Sequence, residues 1–190
     1  DAPAAPLKAI VGALVDLLTD PRRKEGPLQI SGWDVVRLDR LREHLADTQA
    51  ERAGPQGRWQ LQGEAGLWDW AQRLRQAGTP QPVPPPQGLA VTLRPYQAHG
   101  LAWLQYLRTH HLGGILADDM GLGKTAQTLA HLLVEKEAGR LDRPALVVVP
   151  TSLLFNWQAE ARRMAPDLRV LTLHGPSRAE RHAQVSDHDL

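Results

Sequence analysis

The chain has 190 residues, with 22 Lys plus Arg against 21 Asp plus Glu, a formal charge of +1, and no cysteine. That length suits one ordinary domain or two small ones with a buried core, and the lack of cysteine excludes disulfides and thiolate metal sites. Residues 1–87 carry 11 basic and 11 acidic groups and residues 88–190 carry 11 and 10, so neither part is a strongly basic nucleic-acid magnet, although a motor that grips DNA in one groove can be neutral overall.

Residues 4–19 place Leu7, Ile10, Val11, Leu14, Val15 and Leu18 at the spacing of an amphipathic helix that Asp20–Pro21 ends. The basic triplet Arg22–Lys24 reads as a solvated turn, with phosphate contact as the alternative. Ser31, three residues before Asp34, resembles a capping box for a second helix with Val35, Leu38, Leu41 and Leu45 along one face. A third helix sets Leu67, Trp70, Ala71 and Leu74 on one side and stops at Gly78. Four of the six tryptophans, Trp33, Trp59, Trp68 and Trp70, fall in this region. Packing of a small helical domain explains them more simply than stacking on bases beside Arg58 or Arg73.

Residues 79–88, TPQPVPPPQG, carry five prolines in ten positions. Proline neither continues a helix nor donates to a sheet, so the stretch reads as an extended connector between a helical domain over 1–78 and a second domain over 89–190. Beyond it, Pro95 suits the first turn of a helix whose buried stripe is expected to be Tyr96, Gly100, Trp103 and Leu107.

The stretch 113–125, GGILADDMGLGKT, has an apolar run, a turn built on Gly121 and Gly123, and Lys124–Thr125 opening a helical pattern through Leu129, Leu132 and Leu133. A phosphate loop demands these residue types. Polyphosphate oxygens pack against backbone N–H groups, which glycine lets come close, while a lysine supplies charge to the β/γ-phosphates and a threonine hydroxyl holds Mg²⁺. The generic pattern has a glycine where this chain has Asp118. Ala145–Val149, ended by Pro150, reads as a strand buried on both faces. Thr151 or Ser152 can cap the next helix, and Leu168–Leu173 reads as a further strand before His174–Gly175. Strand and helix in alternation imply an α/β fold with a parallel sheet and the loop at its C-terminal edge.

Taken in order, LRPYQAHGLAWL, GGILADDMGLGKTAQTLA, PALVVVPTSLLFNWQAEARR and LTLHG resemble the Swi/Snf-related ATPases of helicase superfamily 2, most closely their bacterial members. The resemblance covers residues 89 to 181 and implies a partial RecA-like lobe. In it Gln97 matches the glutamine that recognises adenine, with Arg94 beside the base. Met120, Gly121, Leu122, Gly123, Lys124, Thr125 and Ala126 match the loop that holds Mg²⁺-ATP, Lys124 and Thr125 being the catalytic members and Thr125 the Mg²⁺ ligand. The family writes Asp-Glu-Met-Gly before Leu-Gly-Lys-Thr, so Asp118 is at home there and Asp119 replaces the glutamate. Thr151, Ser152, Asn156 and Trp157 match a corner that lies along the DNA-tracking groove.

The resemblance further implies a cytoplasmic, nucleoid-associated translocase on double-stranded DNA. An ATPase acting on RNA polymerase or another protein complex is the alternative, and residues 1–87 are a candidate protein-interaction module. No apolar run approaches the roughly 18 residues of a membrane span, and no signal-peptide layout opens the chain. It starts with Asp1 rather than methionine, as an excised piece would, and it lacks the Asp-Glu motif and arginine fingers that hydrolysis needs. These residues alone are therefore expected to hydrolyse no ATP, and an open sheet edge is expected to produce self-association or disorder over 160–190.

Overall fold

A computed structural model describes Lys8, Val11, Gly12 and Val15, then residues 32–50 and 66–190. The chain divides into two compact units, Asp1–Thr79 with His110–Gly113, and Pro80–Thr109 with Gly114–Leu190.

In the first unit the described residues of 4–19 are helical, with Val11 and Val15 exposed rather than turned inward. Ser31 lies outside the described residues, so its capping role does too. Helix α1, Gly32–Ala50, buries Val35, Leu38, Leu41 and Leu45, the stripe that the spacing predicts. It packs on α2, Leu67–Gln76, whose Ala71 is fully buried. Gly78 follows with φ of 64°, a left-handed stop that glycine adopts at little cost. The tryptophans are less central than core packing predicts. Trp33 is 53% exposed, its Nε1 donating to Gly113 O at 2.9 Å. Trp70 is half-buried and donates to His110 O at 3.0 Å, and Trp68 carries the Arg42 guanidinium 4.9 Å from its ring centre. Trp59 lies outside the described residues. The buried Asp39 carboxylate is held by Arg42 and Arg75.

The second unit is built on α3, Pro95–Thr109, α4, Lys124–Glu137, and α5, Leu154–Met164. Helix α4 packs on both others. Its Ala126, Leu129, Leu132 and Leu133 meet Ala161, Met164, Ala165 and Leu168 in one core, against which Leu89, Val91, Leu93 and Trp157 lie. Gly88 N donates to Glu137 Oε1 at 2.9 Å and Ala90 N to Met164 O at 2.8 Å. These two bonds fasten the end of the proline-rich stretch to this unit. The buried face of α3 is Gln97, Leu101, Ala102, Gln105 and Leu107. That face is rotated from the expected stripe, since Tyr96 is exposed and two glutamines are inside. Hydrogen bonding explains the difference: Gln105 Nε2 reaches Glu135 and His131, and Gln97 is bonded at both ends of its amide.

The expected parallel sheet is not matched by assigned strands among the described residues, where 114–117, 145–149 and 170–173 are extended segments without a ladder. Backbone bonds connect the last two of these regions through the last residues of the chain: Asp189 N to Arg169 O at 2.8 Å, Leu171 N to Leu190 O at 2.7 Å, and Ala145 N to Asp189 O at 2.9 Å. Ala145–Val149 is therefore not buried on both faces, for Leu146 and Val148 are each 83% exposed and Ile115 is 84% exposed. An apolar run is buried only when a neighbouring layer covers it, and among the described residues no such layer covers these faces. Residues 145–149 and 170–173 line an apolar cleft of about 440 Å³ together with Trp157 and Ala161.

The turn before α5 also differs from expectation. Thr151–Leu153 is a 3₁₀ turn with Leu153 N donating to Pro150 O at 2.9 Å, and no side chain caps either start. Pro176–Asp187 forms a longer 3₁₀ segment. No helix among the described residues is long and apolar enough to cross a membrane.

Candidate functional site

Residues 118–126 leave an extended segment and turn into α4. Gly121 and Gly123 have φ of 84° and 75°, values that L side chains rarely adopt, and Gly123 is the N-cap of the helix. A Cβ at Gly121 would meet open space, so its glycine serves conformation, whereas a Cβ at Gly123 would run into Gln97 Nε2. No side chain caps the start of α4. The first N–H groups of a 14-residue helix and its positive dipole end are thereby left for a ligand.

Lys124 opens α4 and folds back over the turn. Its Nζ donates to Asp118 O at 2.5 Å and Asp119 O at 2.9 Å. The ammonium is thus held over the loop by two neutral carbonyls, which a phosphate oxygen outcompetes through charge. Thr125 is half-buried in the same first turn, and Ala126 is buried in the core. Met120 is 97% exposed and Leu122 is also exposed.

Helix α3 contributes the other wall. Gln97 Oε1 accepts from Arg94 N at 2.9 Å, and its Nε2 donates to Leu122 O at 3.0 Å. Tyr96 OH donates to the same carbonyl at 3.2 Å. The residue expected to read adenine is therefore tied directly to the 118–126 loop, with one amide hydrogen and one oxygen lone pair to spare. The Arg94 side chain is exposed next to it. The structure thus brings Arg94, Gln97 and 120–126 together.

Thr151, Ser152 and Asn156 stand exposed at the 3₁₀ turn and the start of α5, while Trp157 is half-buried against the core. Among the described residues no group of three or more His, Cys, Asp or Glu could hold a metal by itself, and the Thr125 hydroxyl beside Lys124 is the position expected from the sequence for a Mg²⁺ carried by a nucleotide. The donor set fits that cargo: glycines at positive φ, an open helix N-terminus, a lysine and a hydroxyl.

Sequence reasoning missed two participants. Tyr96 reads as a member of an apolar stripe, and Gln127 reads as an ordinary polar helix position, yet Gln127 is fully buried with its Nε2 donating to Asp118 Oδ2 at 3.0 Å. Neither contact has a local signal. Near the other end of α4, Glu135 is buried among Arg108, Arg140 and Gln105. Burial alone would raise its carboxyl, but hydrogen bonds from Arg140, Gln105 and Arg108 outweigh it and hold the pKa down to about 2.

The SNF2-related domain matches residues 96–190. YwqA of Bacillus subtilis, whose name assigns it to the ATP-dependent helicases/translocases, is 54% identical over 87 residues, 46% of this chain and 9% of its own length. The helicase SWR1 of Saccharomyces cerevisiae is 53% identical over 96 residues, 49% of this chain and 6% of its own. The chain thus spans less than a tenth of either relative. Among solved structures, the SWI2/SNF2 ATPase core of Sulfolobus solfataricus in complex with double-stranded DNA superposes with a TM-score of 0.52 at 38% identity, covering 57% of this chain and 22% of that one.

Proposed function

Because the chain belongs to the SNF2-related domain family, we propose that its loop 118–126 binds Mg²⁺-ATP and that the chain serves an ATP-driven translocase acting on double-stranded DNA. The observation that carries this reading is Lys124 at the start of an uncapped helix, over glycines at φ of 84° and 75°. Cleavage of ATP supplies the free energy for such a motor. The chain's residues bind and orient it. Gly121 and Gly123 let the backbone N–H groups approach the phosphates, Lys124 exchanges carbonyl partners for a phosphate oxygen, and Thr125 offers its hydroxyl to the metal. Gln97 uses its spare hydrogen and lone pair on the adenine edge, beside Arg94.

The extended segments 114–117, 145–149 and 170–173 take the places of strands in a RecA-like parallel sheet. In that arrangement Thr151, Ser152 and Asn156 lie toward the duplex backbone and Trp157 braces the corner; the DNA-bound neighbour supports this placement. The motor would work at the nucleoid, shifting proteins along the duplex. The 190 residues contain no Asp-Glu pair to orient water beside the metal, so this chain binds nucleotide without turning it over.

Titration with a fluorescent ATP analogue and Mg²⁺ tests the reading. Wild type binds, Lys124→Ala weakens binding by about tenfold or more, and neither releases phosphate. Equal binding by the two would remove the phosphate-loop assignment, and phosphate release that Lys124→Ala abolishes would overturn the claim of binding without turnover.

A further inference from the structure

Gln127 is buried at 0% exposure on α4, three residues beyond Lys124. Its Nε2 donates to Asp118 Oδ2 at 3.0 Å, and its Oε1 is buried with no donor. The opposite amide orientation would aim the oxygen at a carboxylate, so charge selects the one observed. Helix α3 makes room for this amide by carrying glycine at 100, where a Cβ would collide with Gln127 Oε1 and Cδ. Methionine or leucine would fill the same space and orphan no oxygen. Packing therefore does not account for an amide here. What an amide can do and an alkyl chain cannot is hold a carboxylate.

Asp118 stands at the base of the loop and is gripped twice, by Gln127 at its carboxylate and by Lys124 at its carbonyl. The second grip is lost when the ammonium turns to a phosphate. We propose that Gln127 is a positioning residue of the phosphate loop, tethering Asp118 to α4 so that the loop keeps its shape while Lys124 exchanges the Asp118 and Asp119 carbonyls for a phosphate oxygen. The inference rests on the reading of 118–126 as an ATP loop.

Two measurements on the 190-residue chain test it: amide hydrogen exchange over 119–123 without nucleotide, and titration with a fluorescent ATP analogue and Mg²⁺. Gln127→Met is expected to speed exchange and weaken binding by about tenfold each, without lowering the melting temperature, since it also removes the orphaned oxygen. Asp118→Ala should match it, and combining the two should do no further harm. Gln127→Glu sets carboxylate against carboxylate and should be worse than Gln127→Met. Adding Asp118→Asn to Gln127→Glu restores a donor–acceptor pair and should return both readouts to within about twofold of wild type. Wild-type exchange in Gln127→Met, additive losses, or no recovery in the exchanged pair would overturn the tether. A wild type that binds no nucleotide would instead overturn the ATP reading, and the exchange data would still decide the tether.

Discussion

Gly123 sits at φ of 75° with Gln97 Nε2 where its side chain would project. Gly123→Ala therefore meets two penalties, a left-handed backbone for an L residue and displacement of the glutamine that holds Leu122. The first alone costs about 1–2 kcal/mol. Urea unfolding should record at least that loss, and nucleotide affinity should fall with it. Gly121→Ala, in open space, should show the backbone cost without the steric one. The local placements of Gly121, Gly123 and Lys124, two turn glycines and the first helical residue, were legible in the sequence because they are written in consecutive residues. Those of Tyr96 and Gln127 were not, because each is defined by a partner brought near only by folding: Leu122 O for the tyrosine and Asp118 for the glutamine.

At the scale of elements, periodicity read well where a helix buries only aliphatic residues, as on α1 with Val35, Leu38, Leu41 and Leu45. It misread α3, where the inner face includes Gln97 and Gln105, because apolar spacing gives no credit to an amide satisfied inside. Strand signals went without assigned strands for a different reason. Ala145–Val149 has the composition of a covered strand, but pairing and cover come from other segments, and Leu146 and Val148 face outward. The contrast predicts unequal costs for the same change. Leu129→Ala, in the core between α4 and α5, should destabilise by about 2–5 kcal/mol. Leu146→Ala should stay within about 0.5 kcal/mol. Chemical unfolding of both variants measures the difference, and equal losses would mean that the 145–149 segment is covered in solution.

For the second unit as a whole, acid should be destabilising. Glu135 is held down to about 2 in the folded chain and titrates near its ordinary value of about 4.5 when unfolded. Its stabilising contribution is fully present above about pH 4.5 and is lost as pH falls toward about 2, on the order of 3 kcal/mol in all. Asp189, lowered chiefly by hydrogen bonds from Arg169 and then Lys136, acts in the same direction. Burial lowers His131, so protonation of the unfolded chain below about pH 6.5 already works against folding. Unfolding free energies should be flat near neutrality and decline on acidification, and Glu135→Gln should flatten the lower part of that decline.

Exposed apolar residues on unpaired extended backbone have a second consequence for the molecule. Ile115, Leu146 and Val148 stand outward on segments whose backbone groups form no ladder, which is the arrangement that invites strand pairing between molecules. Two copies aligned along 146–148 would bury Leu146 and Val148 and pair backbone groups that form no ladder within the chain, so the gain grows with concentration. Sedimentation of the chain over a concentration series should show reversible self-association. Lys at both 146 and 148 puts repelling charges along the contact and should return the protein to monomer, while Leu129, inside the unit, stays untouched and the fold is kept. A chain that remains monomeric at every concentration would mean that these faces are covered within one molecule, and the extended segments would then have to be paired in solution.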